Sequence, residues 1–405
     1  MPGINSSSLL EMAGRASLSF LGQEDIYLSS DPEVTYFVEK YVGQTLFSSR
    51  VIRIQFPGDN TVIFGAEKRL TLPRAGDLIT NMYLKIIPPP LPAGVQVLDS
   101  VGTLMIQYIE LYIDSELIER IYGEYLEMRF DLSIPQGKQG ALKNLIGKNL
   151  IQPVPLNSNY TVPIPFYVFR RGLPLCAFNG DVTIRVVWNP STVFTYPSVN
   201  ITAPFYAYLD TEYTYISDQE IAFIKSKPQT YPVEQVQREE FFAPLLANQL
   251  QSNQIQCLGE FLNPIKQFYF VFQNDSALGY DYTTNNSYTS NGTTYEQLSQ
   301  LVLDFNTTER ISKDIGSPIF LRVIQPLEYH TRIPSRIFYM YSFSLDPELY
   351  DEPTGAVNMS QIKNQIFQFT LNSSPANRYI RIYGINYNFM YIANGTAKMI
   401  FSNFH

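Results

Sequence analysis

A chain of 405 residues has room for two ordinary domains, since domains of about 100–200 residues are the commonest. A formal net charge of −8 excludes a protein that works chiefly by gripping phosphate backbones, which needs a basic surface, so no direct nucleic acid binding is expected. No apolar run reaches the roughly 20 residues that span a bilayer, and the N-terminus shows no basic segment leading into an apolar core, which argues against a secretory signal.

The composition favours sheets. Aromatic residues make up 14% of the chain, with 29 Tyr and 27 Phe, and flat rings pack well on a pleated surface. The 27 Pro and 22 Gly are scattered along the chain, as many short strands joined by many turns require. Cys176 and Cys257 stand far apart and fit no zinc or CxxC spacing, so reduced thiols and assembly inside the host cell cytoplasm are expected.

Along the chain, residues 1–22 are rich in Ser and Gly with a few apolar residues, too little to bury a core, and read as an N-terminal arm that orders on a partner. Alternation with a period of two begins at Asp25. In Ile106–Ile113 it puts Ile109, Leu111 and Ile113 on one face and Tyr108, Glu110 and Tyr112 on the other. Ile184, Val186 and Trp188 line up in the same way. These strands place a first sandwich over 23–215. Ser217 and Glu220 have the spacing of a capping box, which predicts a short helix, and Pro228 and Pro232 stop it and mark a linker, 216–232 in all. A second sandwich is predicted over 233–405, where Ile380 and Ile382 alternate with Tyr379, Arg381 and Tyr383. Asn274–Gln297 is polar and of low complexity, and reads as an outward loop of that second sandwich that can be shortened at little cost.

Chemistry has little raw material. His330 and His405 are the only histidines, too few for a histidine metal cluster or a conventional triad. No phosphate-binding glycine loop or GxSxG is present, so no catalytic, cofactor or metal site is assigned. Hydrolysis of a polysaccharide needs only two carboxylates. Glu124 with Glu127, and Asp346 with Glu348, are the pairs to weigh against the plainer readings of a solvated helix face and a turn. About ten Asn-x-Ser/Thr sequons occur, and Asn274, Asn285 and Asn291 in the polar loop are the glycosylation sites to test. The tyrosines also leave open a glycan-binding attachment protein with a sandwich fold.

A set of short motifs, in order, is similar to the double jelly-roll major capsid proteins of nucleocytoplasmic large DNA viruses. In the first half these are Gly22–Leu28, Pro32–Phe37, Gly76–Thr80, Ile109–Ile113, Tyr122-Gly123-Glu124 and Gly172–Leu175. In the second half they are Val323–Pro326, Tyr339–Leu345, Pro353–Ser360 and Ile382–Asn388. Asp114-Ser115 stands where the family often has a Gly-Gly turn. The resemblance implies an all-β fold of two tandem eight-stranded jelly-roll sandwiches with short helices in the connections. It implies a structural, non-enzymatic protein that forms a homotrimeric, pseudo-hexagonal capsomer in the virion capsid. The partners implied are neighbouring capsomers, minor capsid proteins and, through the arm, the inner viral membrane. A minor or penton-type paralogue is the alternative within the family.

Overall fold

The structure, a computed structural model, describes residues 30, 43–58, 60–149, 156–244, 253–284, 296–372, 374 and 376–401. The arm over 1–22 and the two opening motifs lie outside these residues. Leu46–His405 form one compact unit, separate from Met1–Thr45.

Eight main strands precede the central helix. They are β1 (Ser48–Gln55), β2 (Glu67–Thr71), β3 (Leu78–Ile87), β4 (Ile106–Ile113), β5 (Glu116–Tyr122), β6 (Tyr160–Pro163), β7 (Val182–Trp188) and β8 (Phe205–Tyr215). Eight come after it: β9 (Gln229–Ala243), β10 (Asn253–Gly259), β11 (Pro264–Asn274), β12 (Leu298–Phe305), β13 (Thr308–Ile311), β14 (Tyr339–Ser342), β15 (Gln365–Leu371) and β16 (Arg378–Ala393). The first set forms antiparallel sheets in the orders β1-β8-β3-β6 and β2-β7-β4-β5. The second repeats them with every number raised by eight, β9-β16-β11-β14 and β10-β15-β12-β13. The main sheets thus pair within their own half, and each half is a jelly-roll sandwich.

Alternation decides the faces, as the sequence suggests. Ile109, Leu111, Ile113, Ile184, Val186 and Trp188 are all buried in the first core. The outward Glu110 is buried as well, and is neutralised by Arg120 at 2.7 Å and Arg185 at 3.0 Å. The second core is built of stacked aromatics, with Phe268, Phe270, Phe272, Phe367 and Phe369 fully buried. Edge-to-face pairs such as Phe272 with Phe369, centroids 5.2 Å apart, fit the quadrupole preference of these rings. The turn between β4 and β5 is the two residues Asp114 and Ser115, with Asp114 in the left-handed region at φ 54°, which a short polar side chain tolerates.

Four helices matter for the site: α1 (Gly123–Ser133), α2 (Gln136–Ile146), α3 (Asp218–Ser226) and α4 (Gln325–Tyr329), the last entered through a π-helical turn, Phe320–Ile324. Helix α3 begins with the capping box read from the sequence, with the Glu220 amide donating to Ser217 Oγ and the Ser217 amide to Glu220 Oε2. The segment read as linker ends earlier than expected, because β9 already pairs with β16 from Gln229 onward.

Candidate functional site, the seam between the sandwiches

A long polar network lies where the two sandwiches meet, and it starts from one glycine. A Cβ on Gly123 would stand 2.1 Å from the Ile106 carbonyl oxygen and 2.5 Å from that of Thr103. Only glycine lets α1 begin flush against the preceding turn, which gives the Tyr122-Gly123-Glu124 motif a physical reason. Gly123→Ala is expected to cost about 3 kcal/mol, read as a lowered denaturant midpoint, because the clash is with backbone that cannot rotate away.

From that start, α1 presents Glu124, Glu127 and Asp131 toward the second sandwich. Glu124 receives a two-pronged contact from Arg381 on β16, Nε to Oε2 and Nη2 to Oε1, both at 2.7 Å. The Tyr282 hydroxyl donates to Glu124 Oε1 at 2.9 Å, and that of Tyr383 to Oε2. Burial pushes the Glu124 carboxyl up, but Arg381 and Tyr383 outweigh it and hold it below the usual carboxylate range.

One turn on, Glu127 accepts from Arg336 Nε at 2.7 Å and lies 2.9 Å from Lys148 Nζ. Burial raises this carboxyl too, but Lys148 and Arg336 bring it down to about 2. Arg336 also donates to Asp99 Oδ2 at 2.6 Å, to Ser100 Oγ at 2.8 Å and to the Tyr280 carbonyl at 3.3 Å. Asp131 accepts the Ser335 amide at 2.6 Å. Aromatic rings meet across the seam as well, with Tyr125 stacked on Tyr269 at 6.0 Å and Tyr122 edge-on to Tyr383 at 5.9 Å.

Glu124 and Glu127 are therefore not the solvated helix face of the plainer reading. Glu127 is fully buried against Arg336 and Lys148, and Glu124, 13% exposed, has both carboxylate oxygens taken by Arg381, Tyr282 and Tyr383, so neither stands open to a substrate. Asp346 and Glu348 form the turn that sequence suggests, with the Glu348 and Leu349 amides both donating to Asp346 Oδ1 at 3.0 Å. His330 joins Glu348 Oε1 through Nδ1 at 2.8 Å and Gln267 Oε1 through Nε2 at 3.1 Å, an arrangement that locks its ring in place. His405 lies outside the described residues. Among the described residues no group of three or more His, Cys, Asp and Glu could hold a metal ion. Both cysteines are free, Cys257 buried and Cys176 half-buried.

The polar loop departs from its expectation at both ends. Asn274 still belongs to β11 and is 2% exposed, and its amide donates to the Thr284 carbonyl at 2.8 Å. Its Oδ1 accepts from Gln297 Nε2 at 3.1 Å and Ser374 Oγ at 3.0 Å, so no glycan fits there in the folded chain. Asn285 and Asn291 lie outside the described residues. Residues 275–278 are largely exposed, but 279–284, read as part of the same outward loop, turn inward. Tyr280 and Tyr282 are buried and Gly279 packs on Leu98 and Leu104, because two tyrosines supply the apolar anchors that a composition count hides.

Sequence similarity accounts for the same two halves. Residues 35–218 match a family model described as major capsid protein N-terminus, and residues 220–398 one described as large eukaryotic DNA virus major capsid protein. The major capsid protein of Pyramimonas orientalis virus is 24% identical over 426 residues, covering 96% of this chain and 99% of that protein. Among solved structures, PBCV-1 VP54 superposes with a TM-score of 0.78 at 20% identity, covering 91% of this chain and 100% of that one. The Faustovirus major capsid protein superposes with a TM-score of 0.70 at 11% identity, over 94% of this chain and 97% of that one. Two sandwiches of one strand order, joined by a short helix and matched half by half, leave one conclusion: the chain belongs to the major capsid proteins of large eukaryotic DNA viruses and is a structural component of the virion shell.

Proposed function

We propose that three copies close into a pseudo-hexagonal capsomer and that such capsomers tile an icosahedral shell. The observation that carries this is the repetition of one strand order in two sandwiches joined by a buried ionic seam. Two similar rigid halves per chain give a threefold ring six nearly equivalent sides, which a hexagonal lattice needs. In this reading the chain comprises an arm over 1–22, a first jelly roll over 23–215, a linker over 216–228 and a second jelly roll that begins with β9 at Gln229. The arm faces the shell interior, toward minor capsid proteins and the inner viral membrane, and assembly takes place in the host cytoplasm. Sedimentation of the purified chain should give a species of three times 46.3 kDa, and electron microscopy should show pseudo-hexagonal particles. A monomer at micromolar concentration overturns the reading.

A further inference from the structure

The seam holds a second group of buried charges, apart from the pairs around Glu124 and Glu127. A small cavity lies between α1 of the first sandwich and β9 and β11 of the second, with Arg129, Glu234, Lys266, His330 and Tyr350 in its lining. It offers about 10 Å³ to the centre of a water-sized sphere, room for one small occupant.

The hydrogen-bond donors around this cavity are not all answered. Arg129 is 8% exposed and forms no ion pair among the described residues. Its Nη1 donates to the Pro165 carbonyl at 3.1 Å, and its buried Nη2 has no protein partner. Lys266, 1% exposed, gives one N–H to Glu234 and one to the Pro347 carbonyl at 2.9 Å, which leaves a third. Arg170 adds another cation, lying over the Tyr350 ring at 3.0 Å from its centroid.

The nearby acceptors are already engaged. Glu234 is the partner of Lys266. Glu119, 3% exposed, accepts the Tyr167 amide at 2.8 and 3.1 Å through its two oxygens, and burial holds it well above the usual carboxylate range. The ring nitrogens of His330 are bound to Glu348 and Gln267. Three cations therefore face Glu234, the one carboxylate in the lining. A guanidinium cannot escape this imbalance by losing its proton, as a buried amine can.

We propose that the cavity binds a single monatomic anion such as chloride, held between Nη2 of Arg129 and the remaining N–H of Lys266. Charge selects an anion over water, because a water would leave the Arg129 guanidinium uncompensated in a site of low dielectric. Volume selects a monatomic ion, because sulfate and phosphate each carry four oxygens around a central atom. Bound there, the ion bridges α1 of the first sandwich to β11 of the second and becomes part of the seam.

The test melts the full chain in rising sodium bromide, with sodium gluconate keeping the ionic strength constant. A ligand that binds only the folded chain stabilises it by mass action, so the midpoint should rise with bromide and stay level in gluconate alone. Arg129→Met removes the charge and should abolish that rise, whatever its own midpoint. A wild-type crystal soaked in bromide should show an anomalous scattering peak between Arg129 and Lys266, a measurement that stands even where the variant does not fold. Wild-type midpoints independent of bromide, or an undiminished rise in Arg129→Met, overturn the proposal. So does a bromide peak without any rise, which is binding at crystal concentration only, and so does a water in the cavity that bromide does not displace.

Discussion

Replacing Arg336 by methionine is expected to lower stability by about 3–5 kcal/mol, the cost of breaking a buried ion pair from one side. The guanidinium is 3% exposed and bridges Asp99 and Glu127, both fully buried, so its loss strands carboxylates that cannot reach water. Glu127 keeps Lys148, so most of the penalty falls on Asp99, whose other contact is the Asn149 amide. Arg336→Lys should recover only part of the loss, because one ammonium cannot copy a planar fork that reaches Asp99, Glu127 and the Tyr280 carbonyl together. Chemical denaturation at neutral pH measures all three proteins.

The same site sets an acid response of definite sign. Glu127 titrates at about 2 in the folded chain against an ordinary 4.5, a depressed value. Its contribution is present above 4.5 and is lost as pH falls from there toward 2, on the order of 3 kcal/mol for a fully buried group. Unfolding free energies at several pH values should show this fall in the wild type and a shallower one in Arg336→Met. An equal slope in both would mean that Arg336 does not hold the carboxyl down.

Tyr282→Ala is expected to cost about 3–5 kcal/mol, like other large-to-small changes of buried aromatics. The ring is 2% exposed and its hydroxyl donates to Glu124, so truncation opens a cavity beside an ion pair that must stay dry. Tyr282→Phe keeps the ring and should cost about 1.5–3 kcal/mol, the worth of a hydrogen bond to a charged group. The contrast is with the view of Asn274–Gln297 as a loop that can be cut to a tight turn with little effect. Thermal melts of the two variants separate these views, since an exposed loop tyrosine would leave the transition in place.

The sandwich cores were legible in the sequence and the seam was not, because of what each residue pattern records. Period-two alternation records a face buried against a sandwich's own partner sheet, so Ile109, Ile184 and Ile380 could be placed from sequence. It does not record a second sandwich lying on the other face. Tyr383 and Arg381 look outward and polar by alternation, and are 1% and 8% exposed because α1 covers them. Glu124 and Glu127, three apart on a helix, have the spacing of a solvated stripe, and nothing local reveals the guanidinium groups that come from more than 200 residues away. The capping box was readable because both partners lie within one turn. Asp99, Lys148 and Arg336 carried no sequence signal, as each is a single charge whose meaning depends on packing.

The ionic seam also has a mechanical meaning. A shell must bend somewhere to close, and a packaged genome loads it from within. Two halves joined by Arg336 and Arg381, each pairing with carboxylates of the other half, leave no soft joint inside the chain. Bending and load then fall on the borders between copies. Under pressure such a wall should part along the borders of its tiles and leave each tile whole.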